Sequence, residues 1–112
     1  MRFERTGSIK DLNYTIDIAD KAIASIQDHP NRAGHLNNLG TCLFRRFERT
    51  GSIEDLNRAI DITDEAVAAI LQNPSKRAIY LSNLGNCLYE RFKRTGSIED
   101  LNRAINLSLI HI

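Results

Sequence analysis

The sequence predicts an all-α fold: an α-solenoid of antiparallel helical hairpins, with five helices in about two and a half repeats. Two observations predict it. One octapeptide is written three times, as RFERTGSI at 2–9, RFERTGSI at 46–53 and RFKRTGSI at 91–98, returning after 44 and then 45 residues. A period of that size marks a unit that buries its apolar face only against its neighbours. Between the copies, apolar residues recur at helical spacing, and the 2 prolines and 6 glycines fall at regular places.

The elements follow in order. A first helix is predicted over 8–28, started by Ser8 as N-cap, with Ile9, Leu12, Ile16, Ala19, Ala22, Ile23 and Ile26 on one face. After Pro30 a second helix, 32–49, carries Leu36, Leu39, Leu43 and Phe47 as a narrow stripe. A third, 52–72, begins at Ser52 and spreads Ile53, Leu56, Ala59, Ile60, Thr63, Ala66, Val67 and Ile70 over a broader face. Beyond Pro74 the fourth, 76–94, repeats the narrow stripe with Leu81, Leu84, Leu88 and Phe92, and the fifth, 97–112, opens at Ser97.

The octapeptide is the hinge between the two helices of a unit. Gly7, Gly51 and Gly96 are placed to end a helix in the left-handed conformation, which only glycine enters without a Cβ penalty. Ser8, Ser52 and Ser97 cap the next helix, and Asp11, Asp55 and Asp100 stand three residues on, as in a capping box. The basic residues before each glycine suit the negative end of the helix dipole. Gly40 and Gly85 fall inside helices, at about 1 kcal/mol each relative to alanine. Close approach to the helices of Ala59 and Ala104 is the expected reason.

A chain of 112 residues has room for one modest core. A net charge of +1 gives no field that would collect nucleic acid or an anionic membrane, and no apolar run is long enough to span a bilayer. The first ten residues hold no apolar signal region. Cys42 and Cys87 are expected as free thiols in a cytoplasmic protein, since equivalent sites on stacked helices lie too far apart for a disulfide. His29, His35 and His111 are scattered, and no spacing predicts a metal or a cofactor. Cys42 and His35 lie about two turns apart, roughly 10 Å, too far for a thiol–imidazole pair. No enzymatic activity is expected.

With its hairpin units, the LNNLG and LSNLG segments, the paired Ala59 and Ala66 and the closing prolines, the chain resembles the tetratricopeptide repeat family, its unit about ten residues longer than the usual one. It is similar in style to the long units of kinesin light chains and of large fungal arrays with R-[YF]-x-R-T-G-x hinges, often found beside signalling domains. The resemblance implies a right-handed stack and a protein-interaction scaffold. Such a scaffold is expected to bind an extended peptide or a partner helix on a concave face formed by the first helix of each unit. Carried over residue by residue, that face holds Asn37, Asn38, Thr41, Phe44 and Arg45, then Ser82, Asn83, Asn86, Tyr89 and Glu90. Asn38 and Asn83 match the family's backbone-binding asparagine, a carboxamide that both donates and accepts. The same resemblance carries two alternatives: a regulatory or sensor arm of a larger signalling protein, and a remnant without function of its own.

Residues 1–5 match only the tail of a first helix, and NLSLIHI stands where the repeat has DITDEAV. The register is therefore a partial repeat at 1–30, a full one at 31–74 and a partial one at 75–112. Apolar ends are expected to seek cover by self-association.

Overall fold

A computed structural model describes residues 8–27 and 31–111 and contains five α-helices among them, with no strand. These are α1 (Ile9–Ala24), α2 (Arg32–Thr50), α3 (Ile53–Ala69), α4 (Pro74–Thr95) and α5 (Ile98–His111). Each helix packs on the next, and α2 also touches α4. The hinge copy at 2–7 and the punctuation around Pro30, with His29, lie outside the described residues.

The stripes behave as their spacing requires. Leu36, Leu39, Leu43 and Phe47 of α2 are buried against Leu56, Ala59, Ile60, Thr63 and Ala66 of α3. Leu12 and Ile16 of α1 and Leu84 and Leu88 of α4 extend the same core to either side. Full burial of one such side chain is worth about 1.5–3 kcal/mol, so this row supplies most of what holds the helices together.

Three helix ends differ from the expected ones by more than one residue. Helix α1 stops at Ala24 rather than 28, where the Ser25 hydroxyl and backbone N–H both donate to the Ala22 carbonyl and tighten the last turn. Helix α3 stops at Ala69 rather than 72: Ile70, whose N–H still donates to the Ala66 carbonyl, is already extended, and Asn73 before Pro74 is extended too. Pro74 does not stand before α4 but inside it, at the first turn, while the Asn73 side chain accepts from the Lys76 N–H at 3.0 Å.

Both described hinges have the predicted glycine. Gly51 has φ 74° and Gly96 φ 75°, and their N–H groups donate to the Phe47 and Phe92 carbonyls at 2.7 Å. The capping box is a half box. Ser52 and Ser97 accept from the Asp55 and Asp100 N–H groups, but the aspartate carboxylates do not return the bond. The serine N–H donates instead to the threonine before the glycine, Ser52 to Thr50 Oγ1 and Ser97 to Thr95 Oγ1, both at 3.2 Å.

The expected closeness at the mid-helix glycines holds on one side only. A β-carbon on Gly40 would meet Thr63 Oγ1 at 2.5 Å and the Ala59 carbonyl oxygen at 3.6 Å, so Gly40 does admit the helix of Ala59. Gly85 is half-buried, and its nearest neighbour would be Leu107 Cβ at 4.0 Å, which leaves room for a methyl group.

Candidate functional site

The aspartates released from the capping box each carry a two-pronged ion pair with an arginine. Arg46, the first residue of the octapeptide, donates from Nε to Asp55 Oδ2 and from Nη2 to Asp55 Oδ1, both at 2.8 Å. Its Nη1 reaches back to Asn13 Oδ1 of α1 at 2.8 Å. Arg91 repeats the arrangement with Asp100 at 2.7 and 2.9 Å and with Asn57 of α3 at 2.9 Å. Such a two-pronged bond fixes direction as well as distance. Hydrogen bonding from Arg91 holds the Asp100 carboxyl below its usual range, against the opposing effect of burial. The same bonds raise the Arg46 and Arg91 guanidinium groups above theirs. Sequence reasoning missed this clamp. Its signal was present, an arginine nine residues before the aspartate in each copy.

Two lighter links run along the second-helix row. Arg58 pairs with Asp20 at 2.8 Å and Arg103 with Asp64 at 3.1 Å, all largely exposed and so each worth at most about 1 kcal/mol. Arg94 lies over the Phe47 ring at 4.7 Å, tying the second hinge to the first.

The ten residues carried over to the peptide-binding face do not form one row. Asn83 Nδ2 donates to Asn37 Oδ1 at 3.0 Å, so these two amides are joined across α2 and α4. Thr41, whose hydroxyl donates to the Asn37 carbonyl at 3.1 Å, meets Asn83, Asn86, Phe44 and Cys87 around a hollow of about 80 Å³. Asn38 is exposed on α2, bordering a mostly apolar groove with Tyr14, Ile18 and Ala22 of α1 on one side and a hollow with Lys76 and Tyr80 of α4 on the other. Ser82, Asn86 and Tyr89 line a third groove, between α4 and α5. Arg45 is exposed, with its charge near Cys42. Asn38 and Asn83 are thus equivalent in sequence and not in surroundings. One is free to solvent, and the other has an amide hydrogen already committed.

The aromatic residues at the same level also part company. Each ring meets the phenylalanine three residues on, at 5.8 and 6.1 Å, but Phe44 is half-buried whereas Tyr89 is 47% exposed beneath the Lys93 ammonium at 5.3 Å. Glu90, where the previous unit has Arg45, pairs with Lys93 at 2.9 Å.

Neither thiol is prepared for nucleophilic work. Burial, with help from Glu90 and Glu48, pushes Cys87 up to about 12, and burial outweighs Arg45 in raising Cys42. Among the described residues, no group of three or more His, Cys, Asp or Glu side chains converges on a metal position, and no helix is long and apolar enough to cross a membrane.

Comparison with family models, with curated proteins and with solved structures finds no match. What the chain does has to be argued from its own surface.

Proposed function

We propose that this chain is a non-enzymatic, cytoplasmic interaction module of tetratricopeptide-like architecture, binding an extended peptide or partner helix on the faces of α2 and α4 that lie off the leucine stripes. The observation that carries this reading is the Asn83–Asn37 bond at 3.0 Å, which sets equivalent surfaces of successive units side by side. A strip built this way presents amides and hydroxyls at repeated intervals: Asn38, Thr41 and Asn86, with Ser82 and Tyr89 beyond them. Amides of that kind match the main chain of a peptide without reading its sequence, and an exposed tyrosine offers the aromatic anchor that such surfaces use. The raised thiols favour the same reading over covalent catalysis, because the thiolate is the nucleophile.

The test selects binders from a displayed library of short unstructured peptides and measures the best of them by fluorescence anisotropy. Replacing Asn38 and Asn86 together by alanine should weaken binding about tenfold, the loss of roughly 1.4 kcal/mol, with an unchanged helical circular-dichroism signal. Unchanged affinity for every selected peptide would reject the strip as the binding face.

A further inference from the structure

The outer face of the α4/α5 hairpin copies a surface that is covered elsewhere in the same molecule. On α2 and α3, the cover is α4. Asn83 bonds Asn37, Cys87 closes over Thr41 and Phe44, and Arg91 Nη1 donates to Asn57. One unit on, the counterparts of the half-buried Thr41 and Phe44 are Asn86 and Tyr89, both exposed, and the counterpart of Asn57 is Asn102. They border or adjoin an open groove of about 270 Å³, whose floor includes Gly85, Ala104 and Leu107. Ile60 is 2% exposed under α4, whereas its counterpart Ile105 is 48% exposed. Asn13 and Asn57 each accept from an arginine at 2.8–2.9 Å, and Asn102 has no such partner among the described residues.

We propose that this α4/α5 face is a docking seat for one amphipathic helix of a partner chain. That helix carries the α4 pattern: leucines three and then four residues apart, a small residue or amide facing the groove, and an arginine near its C-terminal end to reach Asn102. Continuity with the α2/α3–α4 interface argues for a helix rather than a strand or loop, because the congruent seat is filled by one. A folded second copy does not qualify, since its two helices of this pattern, α2 and α4, already bury their leucines. The seat shares Asn86 and Tyr89 with the peptide strip, and its test is kept separate by reading Ile105 and Asn102, which lie outside the strip.

The probe is a synthetic peptide of residues 73–97, which is α4 with both caps, titrated onto the full chain under reducing conditions. Saturable one-to-one binding is expected. Ile105→Asp should weaken it at least ~10-fold, while Ile18→Asp in the α1 groove should leave it unchanged. Asn102→Ala in the chain and an Arg91→Ala peptide should each weaken it a few-fold, and together no more than either alone, as a bonded pair requires. Circular dichroism checks that each variant folds, and the Asn102–Arg91 cycle stands even if Ile105→Asp does not. Absence of saturable binding, binding indifferent to both Ile105→Asp and the Asn102–Arg91 cycle, or binding lost through Ile18→Asp would overturn the proposal. So would light scattering that shows a dimer abolished by Ile105→Asp, because the occupant would then be a second copy.

Discussion

At the waist of the α2/α3 hairpin, a methyl group on Gly40 would collide with Thr63, while at the waist of α4/α5 a methyl group on Gly85 would touch nothing closer than 4.0 Å. Yet the hinges of the same two hairpins are nearly superposable in their bonds. Arginine to aspartate is 2.8 and 2.8 Å in one and 2.7 and 2.9 Å in the other, and the glycine φ angles are 74° and 75°. The difference separates two kinds of determinant. A hinge is fixed by residues within ten positions of one another, so octapeptides that differ only at Glu48 and Lys93 give matching hinges. A waist depends on the residues opposite, Thr63 in one case and Ser108 in the other, and on cover from a following helix. The inner hairpin has α4 for cover. Among the described residues, the outer one has no equivalent.

The clamp is the place to break that comparison with the largest effect. Arg46→Ala and Arg91→Ala each strand an aspartate that is less than a tenth exposed. Removing one partner of a buried pair costs about 3–5 kcal/mol, and the arginines, with side chains about a quarter exposed, bring this to about 2–3 kcal/mol. Urea denaturation should give the two variants equal losses, within about 0.5 kcal/mol. A markedly smaller loss for Arg91→Ala would mean that the outer hinge depends on its waist after all.

The glycines sharpen the comparison further, because the expected effects have opposite signs. Gly40→Ala gains helix propensity worth about 1 kcal/mol but forces Thr63, a stiff β-branched residue, out of its place. Overpacking of that kind costs about 1–3 kcal/mol, so the variant should lose stability or at best break even. Gly85→Ala meets no obstacle and should gain up to about 1 kcal/mol. Thermal melting of both variants decides the matter, and a gain for Gly40→Ala would show that α2 and α3 separate freely.

How far the sequence was legible follows the same division. Spacing predicted the leucine stripes, the left-handed glycines and the serine caps, because each depends on neighbours along the chain. The Arg46–Asp55 clamp lay hidden behind a plausible local role for each residue, dipole for the arginine and capping box for the aspartate. Only the third partner, Asn13 from another helix, distinguishes the two readings. The candidate binding residues were placed on the right helices but not in their surroundings. A repeat register treats Asn38 and Asn83 as one position, while the structure gives Asn38 a neighbour in α1 and Asn83 a bond to α2. Gly85 went the same way, for its copy lacks the threonine opposite.

The smallest expected effect is on acid stability, and it tests the outer hinge alone. Hydrogen bonding from Arg91 holds Asp100 below its ordinary value in the folded chain, so the unfolded chain takes up a proton first as the pH falls. The contribution is therefore complete above the unfolded carboxylate value of about 3.9 and disappears as the pH drops through the lower folded one. Protonation is milder than truncation, because a neutral carboxyl still accepts from the guanidinium and fills the same space. Asp100→Asn removes the titration while keeping the shape. Urea midpoints followed from pH ~5 down to pH ~2 should fall less steeply for this variant than for the parent chain. Equal slopes would mean that the two-pronged bond to Arg91 does not persist in solution, and that the polar bonds of the outer hinge reduce to those of its glycine and serine.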